Sequence, residues 1–209
     1  MAAPKLRMTL EGYRAREASA EVRHELFDGD LYAMAGGTIA HSHIRTGFLG
    51  ELRSGVGTSG CGCVVLGPDM RVHVDDDTQC YPDAMVVCSP VATPEGDRCS
   101  VANPVVIVEV MSPSSAAWDL AGKRERYARL ASLRHYVVAH QDVWRVHHFQ
   151  RLEDGAWRVT TLGPGGVLEL DPLGVRLRVD DVYRGVEQVG GPARDAEWRG
   201  PEDRPVRAG

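Results

Sequence analysis

Lysine is almost absent from this sequence of 209 residues, since it occurs only at Lys5 and Lys123, against 22 arginines. Lys123 lies within the segment AGKRERYARLASL, in which the three neighbouring cations are arginine. A lysine ammonium is a compact charge whose pKa shifts readily, whereas an arginine guanidinium is a planar fork that stays charged. The use of lysine at position 123 therefore indicates that this position requires an ammonium.

Long apolar runs are also missing, and their absence excludes two classes of protein. No stretch of 18 apolar residues is present, so we expect no transmembrane helix. The first residues, MAAPKLRMTLEGYRARE, have no apolar core of a signal peptide, so we expect a cytoplasmic protein. The formal net charge of −5 argues against a protein that coats nucleic acid through its overall charge, but it leaves room for a local basic groove.

Cysteine is rare and odd in number, with Cys61, Cys63, Cys80, Cys88 and Cys99. An odd count without a secretion signal predicts reduced thiols. The C-G-C segment at 61–63 is compatible with zinc, but no second ligand pair stands at the spacing of a zinc finger. A zinc-held interaction module built on Cys61, Cys63 and Cys80 is therefore a weaker alternative.

Turn and periodicity signals predict an α/β (α+β) fold. Asp28-Gly29 between apolar runs predicts a hairpin over 24–34, and Thr38 predicts the start of a helix over 39–54. Further helices are predicted at 8–19, with Thr9 as its N-cap, and at 120–132, and a glycine- and serine-rich turn is predicted at 55–62. Strands are predicted at 63–67, 70–75, 80–88, 104–111, 135–139, 143–150, 156–162 and 174–179. This order predicts a mixed sheet flanked by helices, in one domain over 1–187 followed by a disordered tail over 188–209.

Two carboxylates stand at positions that a β-sheet does not favour. Glu109 lies inside VVIVEVM, a run typical of a central strand, where a carboxylate is costly to bury unless it meets a metal or a cation. A salt bridge to an arginine explains Glu109 equally well. Asp83 follows Pro82 and opens the apolar run AMVVC, so it enters the sheet where the strand begins, although a turn or strand-end aspartate is the plainer interpretation.

Helical periodicity places Lys123 on the same face as Tyr127, Leu130 and Ala131, the residues that dock this helix on the sheet. The side chain is therefore expected to point inward towards the layer of Glu109, unless its stem reaches back to the surface. Two carboxylates can hold Mg²⁺ through oxygen ligands, and a nearby ammonium can orient a water and neutralise developing charge. These residue types are the smallest set that supports metal-assisted cleavage of a phosphodiester.

Several further residues are candidates for supporting roles. Glu25, in HELFDG, is a candidate for a third acid, and the alternative is an ordinary solvent-facing strand residue. Asp119 is expected to cap the 120–132 helix. Contacts to phosphate are hypothesised for His41, Ser112, Arg45, Arg124 and Arg126.

The ordered segments HELFDGDLYAMAGG, AHSHI, YPDAMVVC, NPVVIVEVMSPSS, WDLAGKRERYARL and HYVV resemble the putative restriction endonuclease family of the PD-(D/E)XK nuclease superfamily. The resemblance runs from about residue 8 to 187 and implies a restriction-endonuclease-like core. It assigns Asp83, Glu109 and Glu25 to the metal site and His41 and Tyr127 to supporting positions. The lysine usually found two residues after the glutamate is Met111 here, and Lys123 takes its place from the following helix.

The resemblance implies a Mg²⁺- or Mn²⁺-dependent endodeoxyribonuclease that acts on DNA as a homodimer, since two-fold symmetry suits the cutting of both strands. Its catalytic residues would be Asp83, Glu109, Lys123 and Glu25. The alternative is a nucleic-acid-binding or assembly protein that keeps the nuclease fold with little or no turnover, which the net acidity and Met111 allow.

Overall fold

The computed structural model describes residues 7–34, 36–111 and 118–194, together with the backbone of 204–206. The α-helices are α1 (Leu10–Glu17), α2 (Ile39–Ser59), α3 (Arg124–Tyr127) and α4 (Val179–Tyr183). A π-helix over Trp118–Lys123 leads into α3, and a 3₁₀ helix covers Val186–Val189. Within the described residues, no helix is long and apolar enough to cross a membrane.

The strands of the first half are β1 (His24–Phe27), β2 (Asp30–Ala33), β3 (Cys63–Leu66), β4 (Arg71–Asp75), β5 (Thr78–Cys80), β6 (Ala84–Cys88) and β7 (Ser100–Val101). Those of the second half are β8 (Pro104–Met111), β9 (His135–His140), β10 (Val146–Arg151), β11 (Trp157–Leu162), β12 (Val167–Leu170), β13 (Val175–Arg178) and β14 (Arg204–Val206).

A seven-stranded mixed sheet forms the centre of the protein, in the order β14-β11-β10-β9-β8-β6-β3. Strands β8 and β9 are parallel, because the π-helix and α3 cross between them, and the other described pairs of this sheet are antiparallel. A five-stranded sheet, β2-β1-β5-β4-β7, and a hairpin of β12 and β13 complete the fold. The predicted fold class, a mixed sheet flanked by helices, is confirmed.

The central sheet separates two apolar cores. On one face, Ile44, Phe48 and Leu52 of α2 pack with residues of β12, β13 and α4. On the other face, Tyr127 and Leu133 pack with residues of the five-stranded sheet and of β8 to β10. Alternate residues of β8 therefore enter different cores, with Val108 and Val110 in the first and Ile107 and Met111 in the second.

The N-terminal hairpin and both helix caps follow the local signals. Asp28 and Gly29 have positive φ values of 49° and 83°, as the tight turn between β1 and β2 requires. The hydroxyls of Thr9 and Thr38 accept hydrogen bonds from Gly12 N and His41 N at the first turns of α1 and α2. These three predictions are confirmed.

The glycine- and serine-rich turn predicted at 55–62 is wrong, because α2 continues to Ser59 and ends at Gly60 in the left-handed region. A Cβ atom on Gly55 would lie 2.7 Å from Cγ1 of Val175, and one on Gly47 would lie 2.2 Å from the carbonyl oxygen of Val182. Glycine at these positions therefore permits close packing on β13 and α4, a tertiary role that turn statistics do not reveal.

Two other predicted elements differ from the observed ones. The strand predicted at 80–88 is divided between β5 and β6, which belong to different sheets, since the chain crosses from one sheet to the other at Tyr81-Pro82-Asp83. The helix predicted at 120–132 begins as the π-helix at Trp118 and ends at Tyr127. Strand β12 and helix α4 were not predicted.

The prediction of five reduced thiols is wrong for two of them, because Cys63 and Cys88 form a disulfide. They are directly opposed in the register of β3 and β6, which local sequence does not specify. The zinc module on Cys61, Cys63 and Cys80 loses a ligand to this bond, while Cys80 is buried in β5. Of the predicted tail of 188–209, the described residues include 188–194 and the backbone of 204–206, which pairs with β11.

Candidate active site

Glu109 lies in the centre of β8 and is almost fully buried, with 4% of its surface exposed. Its neighbours at alternate positions, Ile107 and Met111, belong to the core that contains Tyr127 and Tyr136. Because side chains of a strand alternate between the two faces, Glu109 points to this same side. The predicted central strand thus carries a carboxylate into an apolar layer.

Lys123 meets Glu109 in that layer. Its Nζ donates a 3.1 Å hydrogen bond to Oε1 of Glu109 and lies 3.2 Å from Oε1 of Glu25 and 3.9 Å from Oδ1 of Asp119. Only 7% of Lys123 is exposed, so the side chain points inward as helical periodicity predicts. The structure excludes the alternative in which its stem reaches to the surface.

Glu25 arrives from the N-terminal hairpin. It is buried in β1, and its Oε1 accepts a 3.0 Å hydrogen bond from the backbone N–H of Tyr81 as well as contacting Lys123. Tyr81 begins the crossing from β5 to β6, so this bond ties the hairpin to the segment that carries Asp83. The interpretation of Glu25 as an ordinary solvent-facing strand residue is therefore wrong.

Asp83 lies at the start of β6, on the edge of the same pocket. Its Oδ2 accepts a 2.7 Å hydrogen bond from the backbone N–H of Val110, the residue after Glu109. The antiparallel register pairs Ala84 with Val108, and its continuation places Asp83 beside Glu109. Asp83 is buried and lies in a bend directly before the first residue of β6, so it has the strand-end position of the plainer interpretation while its carboxylate faces the strand of Glu109.

Two basic side chains from α2 face Asp83. Nε2 of His41 lies 3.4 Å from Oδ2 of Asp83, and a guanidinium nitrogen of Arg45 lies 3.9 Å from Oδ1. Both side chains are partly exposed, at 17% for His41 and 30% for Arg45. This arrangement puts two basic side chains on the more exposed side of Asp83.

Asp119 was missed as a member of the site, because it was expected only to cap a helix. It lies within the π-helix, 5% exposed, and contacts Lys123 four residues later. The i, i+4 spacing of these two charges was the available signal. We refer to Glu25, Asp83, Glu109, Asp119 and Lys123 together as the acid–lysine pocket.

Tyr127 and Tyr136 donate hydrogen bonds to members of the acid–lysine pocket. The Tyr127 hydroxyl donates a 2.9 Å hydrogen bond to Oε1 of Glu109, and the Tyr136 hydroxyl donates a 2.7 Å bond to the carbonyl of Asp119. Burial raises the pKa of both phenols well above the usual value, with nearby Glu109 adding to it. Both hydroxyls therefore remain protonated donors.

The carboxyl and ammonium groups influence each other strongly. Burial raises the pKa of the Glu109 carboxyl well above its usual value, the Lys123 ammonium opposes that rise, and the neighbouring carboxylates add to it. Burial alone lowers the pKa of Lys123, but Glu109, Glu25 and Asp119 outweigh it and raise this pKa well above its usual value. Lys123 is therefore an ammonium at neutral pH.

The remaining candidates lie apart from this pocket or outside the described residues. The Arg124 guanidinium lies over the ring of Phe149, 5.4 Å from its centroid. Arg126 forms an ion pair with Asp28 and donates a 2.9 Å hydrogen bond to the carbonyl of Gly122. Ser112 is outside the described residues.

The oxygen donors of the pocket fit a hard divalent cation. Mg²⁺ usually binds one or two protein carboxylates and keeps several waters, and Asp83 and Glu109 match that type. In the described part of the chain, no three His, Cys, Asp or Glu side chains are arranged to hold a metal ion together. Oε1 of Glu25 engages Lys123 and Tyr81, so a third protein ligand is not preformed.

A family model and two curated proteins match most of this chain. A model of the Uma2 family, described as "Putative restriction endonuclease", matches residues 10–180. Two proteins of Synechocystis sp. are similar over most of their length. The uncharacterized protein slr1290 is 32% identical over 193 residues, which cover 88% of this chain and 95% of the relative. The uncharacterized protein sll1609 is 28% identical over 156 residues, which cover 74% and 87%.

A solved structure shares the fold. The crystal structure of a putative nuclease belonging to DUF820, from Anabaena variabilis, superposes with a TM-score of 0.68 at 14% sequence identity. The match covers 86% of this chain and 99% of that one. The shared fold therefore covers most of this chain.

Proposed function

We propose that this chain, which belongs to the Uma2 family of putative restriction endonucleases, is a metal-dependent endodeoxyribonuclease that hydrolyses phosphodiester bonds of DNA. The observation that carries the proposal is the buried ammonium of Lys123 between Glu109 and Glu25, beside Asp83 at the end of β6. Acids and a lysine from four separate elements of the chain meet in one pocket, and such clusters of perturbed groups are typical of functional sites.

Asp83 and Glu109 would hold a Mg²⁺ or Mn²⁺ ion, with Glu25 as an additional acid. The metal ion, when bound, supplies a water of lowered pKa and stabilises negative charge on the phosphate oxygens. Lys123 orients the attacking water and neutralises developing charge. Because its raised pKa keeps it protonated, Lys123 donates hydrogen bonds and does not act as a base.

Tyr127 positions the Glu109 carboxylate. Its hydroxyl shares Oε1 with Lys123, so one oxygen of Glu109 is held by two donors and the orientation of the carboxylate is set. His41 and Arg45, on the exposed side of Asp83, would contact the phosphate. A homodimer would bring two such pockets to one DNA molecule, so that each could act on one strand.

The proposal is tested by incubating the purified protein with supercoiled and single-stranded DNA in Mg²⁺ or Mn²⁺. Asp83→Ala and Lys123→Met should each lower the cleavage rate by more than about a hundredfold, since even residues that only support metal ligands account for 10- to 100-fold. The matched control is Asp69→Ala, whose carboxylate is 90% exposed, and it should cleave like the wild type. Equal cleavage by wild type and Asp83→Ala would identify a contaminating nuclease and refute the proposal.

A second candidate function is a nucleic-acid-binding or assembly protein with little turnover. The direct pairing of Lys123 with Glu109 and Glu25 favours it, because such a cluster can be stable without a metal. Calorimetric titration with Mg²⁺ and Mn²⁺ separates the two functions. Metal binding that Asp83→Ala abolishes supports the nuclease, whereas absence of metal binding by an intact protein supports the second function.

A further inference from the structure

Two exposed aromatic side chains lie next to the acid–lysine pocket. Trp118 is 36% exposed and Tyr32 is 47% exposed, and their ring centroids are 6.4 Å apart with 32° between the planes. Trp118 directly precedes Asp119 in the π-helix that ends at Lys123. Tyr32 is the cross-strand partner of Glu25 in the hairpin. Because cross-strand partners project from the same face, Tyr32 and Glu25 share a face.

Trp118 is held rigidly although more than a third of its surface is open. The ring of Phe27 meets it edge-on, with centroids 4.9 Å apart and an interplanar angle of 81°, and the guanidinium of Arg126 lies 4.8 Å from its centroid. Gly122 allows the indole to lie on the helix, since a Cβ atom there would be 2.3 Å from the ring. Arg126 is itself fixed by the Gly122 carbonyl and Asp28.

Tyr32 contacts the same Phe27 ring that supports Trp118. Its ring lies 5.5 Å from that of Phe27, which is buried at 3% exposure and so anchors both exposed rings. The result is a pair of aromatic rings in fixed positions, supported by Phe27 and Arg126 and open to solvent. Preorganised rings lose little conformational freedom when a ligand stacks on them, so the cost of binding is low.

Two exposed and well-supported aromatic rings, tilted by 32° to each other, suit a nucleobase when they lie next to the proposed phosphodiester site. Bases stack on aromatic side chains whatever their sequence, because every base has a π-face. Such stacking requires a base that is free of its duplex neighbours, as in a single strand or an extruded nucleotide. Arg45, 30% exposed beside Asp83, adds a positive group for the backbone of the same strand.

We propose that Trp118 and Tyr32 form a stacking platform for an unpaired nucleobase, and that the substrate of the acid–lysine pocket is single-stranded or locally unpaired DNA. The choice of substrate rests on the proposed nuclease function, whereas the binding of an unpaired base by the platform does not require hydrolysis.

The test is fluorescence anisotropy with a labelled single-stranded oligonucleotide of 12 nucleotides, in Ca²⁺ instead of Mg²⁺, with its integrity checked on a gel. Trp118→Ala and Tyr32→Ala should each raise Kd about tenfold, in the range reported for loss of one base–aromatic stack. Trp118→Phe and Tyr32→Phe, which keep a ring, should bind like the wild type. Val64→Ala, at a residue 47% exposed on edge strand β3, is the control for loss of exposed apolar surface.

A second arm changes the DNA and leaves the protein intact, so it does not depend on whether a variant folds. A series of oligonucleotides is prepared, each with a single abasic site at a different position. At least one of them should bind the wild-type protein about tenfold more weakly than the intact strand does. A blunt duplex of the same sequence should also bind more weakly than the single strand. Equal binding of intact and abasic strands, tighter binding of the duplex, or no binding of the single strand would overturn the proposal.

The two proposals fail in different ways. Loss of binding in Trp118→Ala without any cleavage that depends on Asp83 would keep the platform and refute the nuclease. Cleavage that depends on Asp83, together with unchanged binding in both alanine variants, would keep the nuclease and refute the platform.

Discussion

Lys123 and Glu109 are 14 positions apart in the sequence, and the Lys123 ammonium donates a 3.1 Å hydrogen bond to the Glu109 carboxylate in a nearly dry layer of the protein. A pair of this kind does not follow the energetics of a surface salt bridge. Taking either charge away leaves the other buried without its partner, which costs more than the pair itself contributes.

We therefore predict that Lys123→Met lowers the free energy of unfolding by about 3–5 kcal/mol, the range for breaking one side of a buried ion pair. The double variant Lys123→Met/Glu109→Gln should recover part of this loss, because it removes one of the stranded carboxylates. Urea unfolding of the wild type, both single variants and the double variant measures the coupling. Additive losses would show that the two groups do not interact.

The histidines of β9 and β10 predict a loss of stability in mild acid. Burial lowers the pKa of His148 to about 3, and that of His140 and His147 to about 4. In the unfolded chain these groups titrate near 6.5, so between about pH 6.5 and pH 4 the unfolded state binds more protons. Stability should be full above about pH 6.5 and fall as pH is lowered through this window.

Urea unfolding at a series of pH values between 4 and 8 measures this dependence, for which each unit of pKa difference corresponds to about 1.4 kcal/mol. His148→Gln should flatten the curve between pH 4 and 6.5. A curve as steep as that of the wild type would mean that His148 does not carry the effect.

The Cys63–Cys88 bond closes a loop with a sequence separation of 25 residues. A crosslink of this span restricts the unfolded chain and is expected to contribute about 3–4 kcal/mol. Cys63→Ser/Cys88→Ser should therefore unfold at lower urea concentration, as should the wild type in excess dithiothreitol. Cys99→Ser, at an exposed free thiol, is the control and should behave like the wild type. Insensitivity of the wild type to reductant would contradict the prediction.

Two glycines of α2 should respond in opposite directions to alanine. A Cβ atom on Gly47 would lie 2.2 Å from the Val182 carbonyl oxygen, so Gly47→Ala must push α4 away and should lose a few kcal/mol, as overpacked sites do. Gly50 is exposed on the same helix with nothing within 4 Å of such an atom. Gly50→Ala should gain about 0.5–1 kcal/mol from helix propensity. Thermal unfolding of both variants measures this difference in sign.

Much of the local structure was predictable from neighbours in the chain. The hairpin at Asp28-Gly29 and the helix starts at Thr9 and Thr38 depend on turn chemistry and capping within a few residues. The central strand around Glu109 follows from its apolar run. The inward direction of Lys123 was predicted from helical periodicity, and Tyr127 one turn later is also buried. The rest of the predicted face differs, since Leu130 and Ala131 lie beyond the end of α3 and Ala131 is exposed.

The errors arise where distant segments meet. The helix α2 runs through its glycines because Val175 and Val182 pack against them, and the strand expected at 80–88 is divided because the two halves join different sheets. The disulfide depends on the register of β3 and β6, and Asp119 joined the site because a π-turn brings it to Lys123. Apart from the i, i+4 spacing of Asp119 and Lys123, none of these follows from residue type or short-range spacing.

Chain order and side-chain chemistry thus specify the unusual acids, the single lysine of the segment and most of the elements that carry them. The meeting of Glu25 and Glu109 on one ammonium, and the position of Trp118 and Tyr32 beside them, come from the packing of the hairpin and the π-helix against the central sheet. The physical reason is the distance along the chain over which each force acts. Hydrogen bonding and steric contacts within a few residues select helices, strands and turns. Burial of apolar faces selects which distant elements pack together, and this packing brings together the charged groups that they carry.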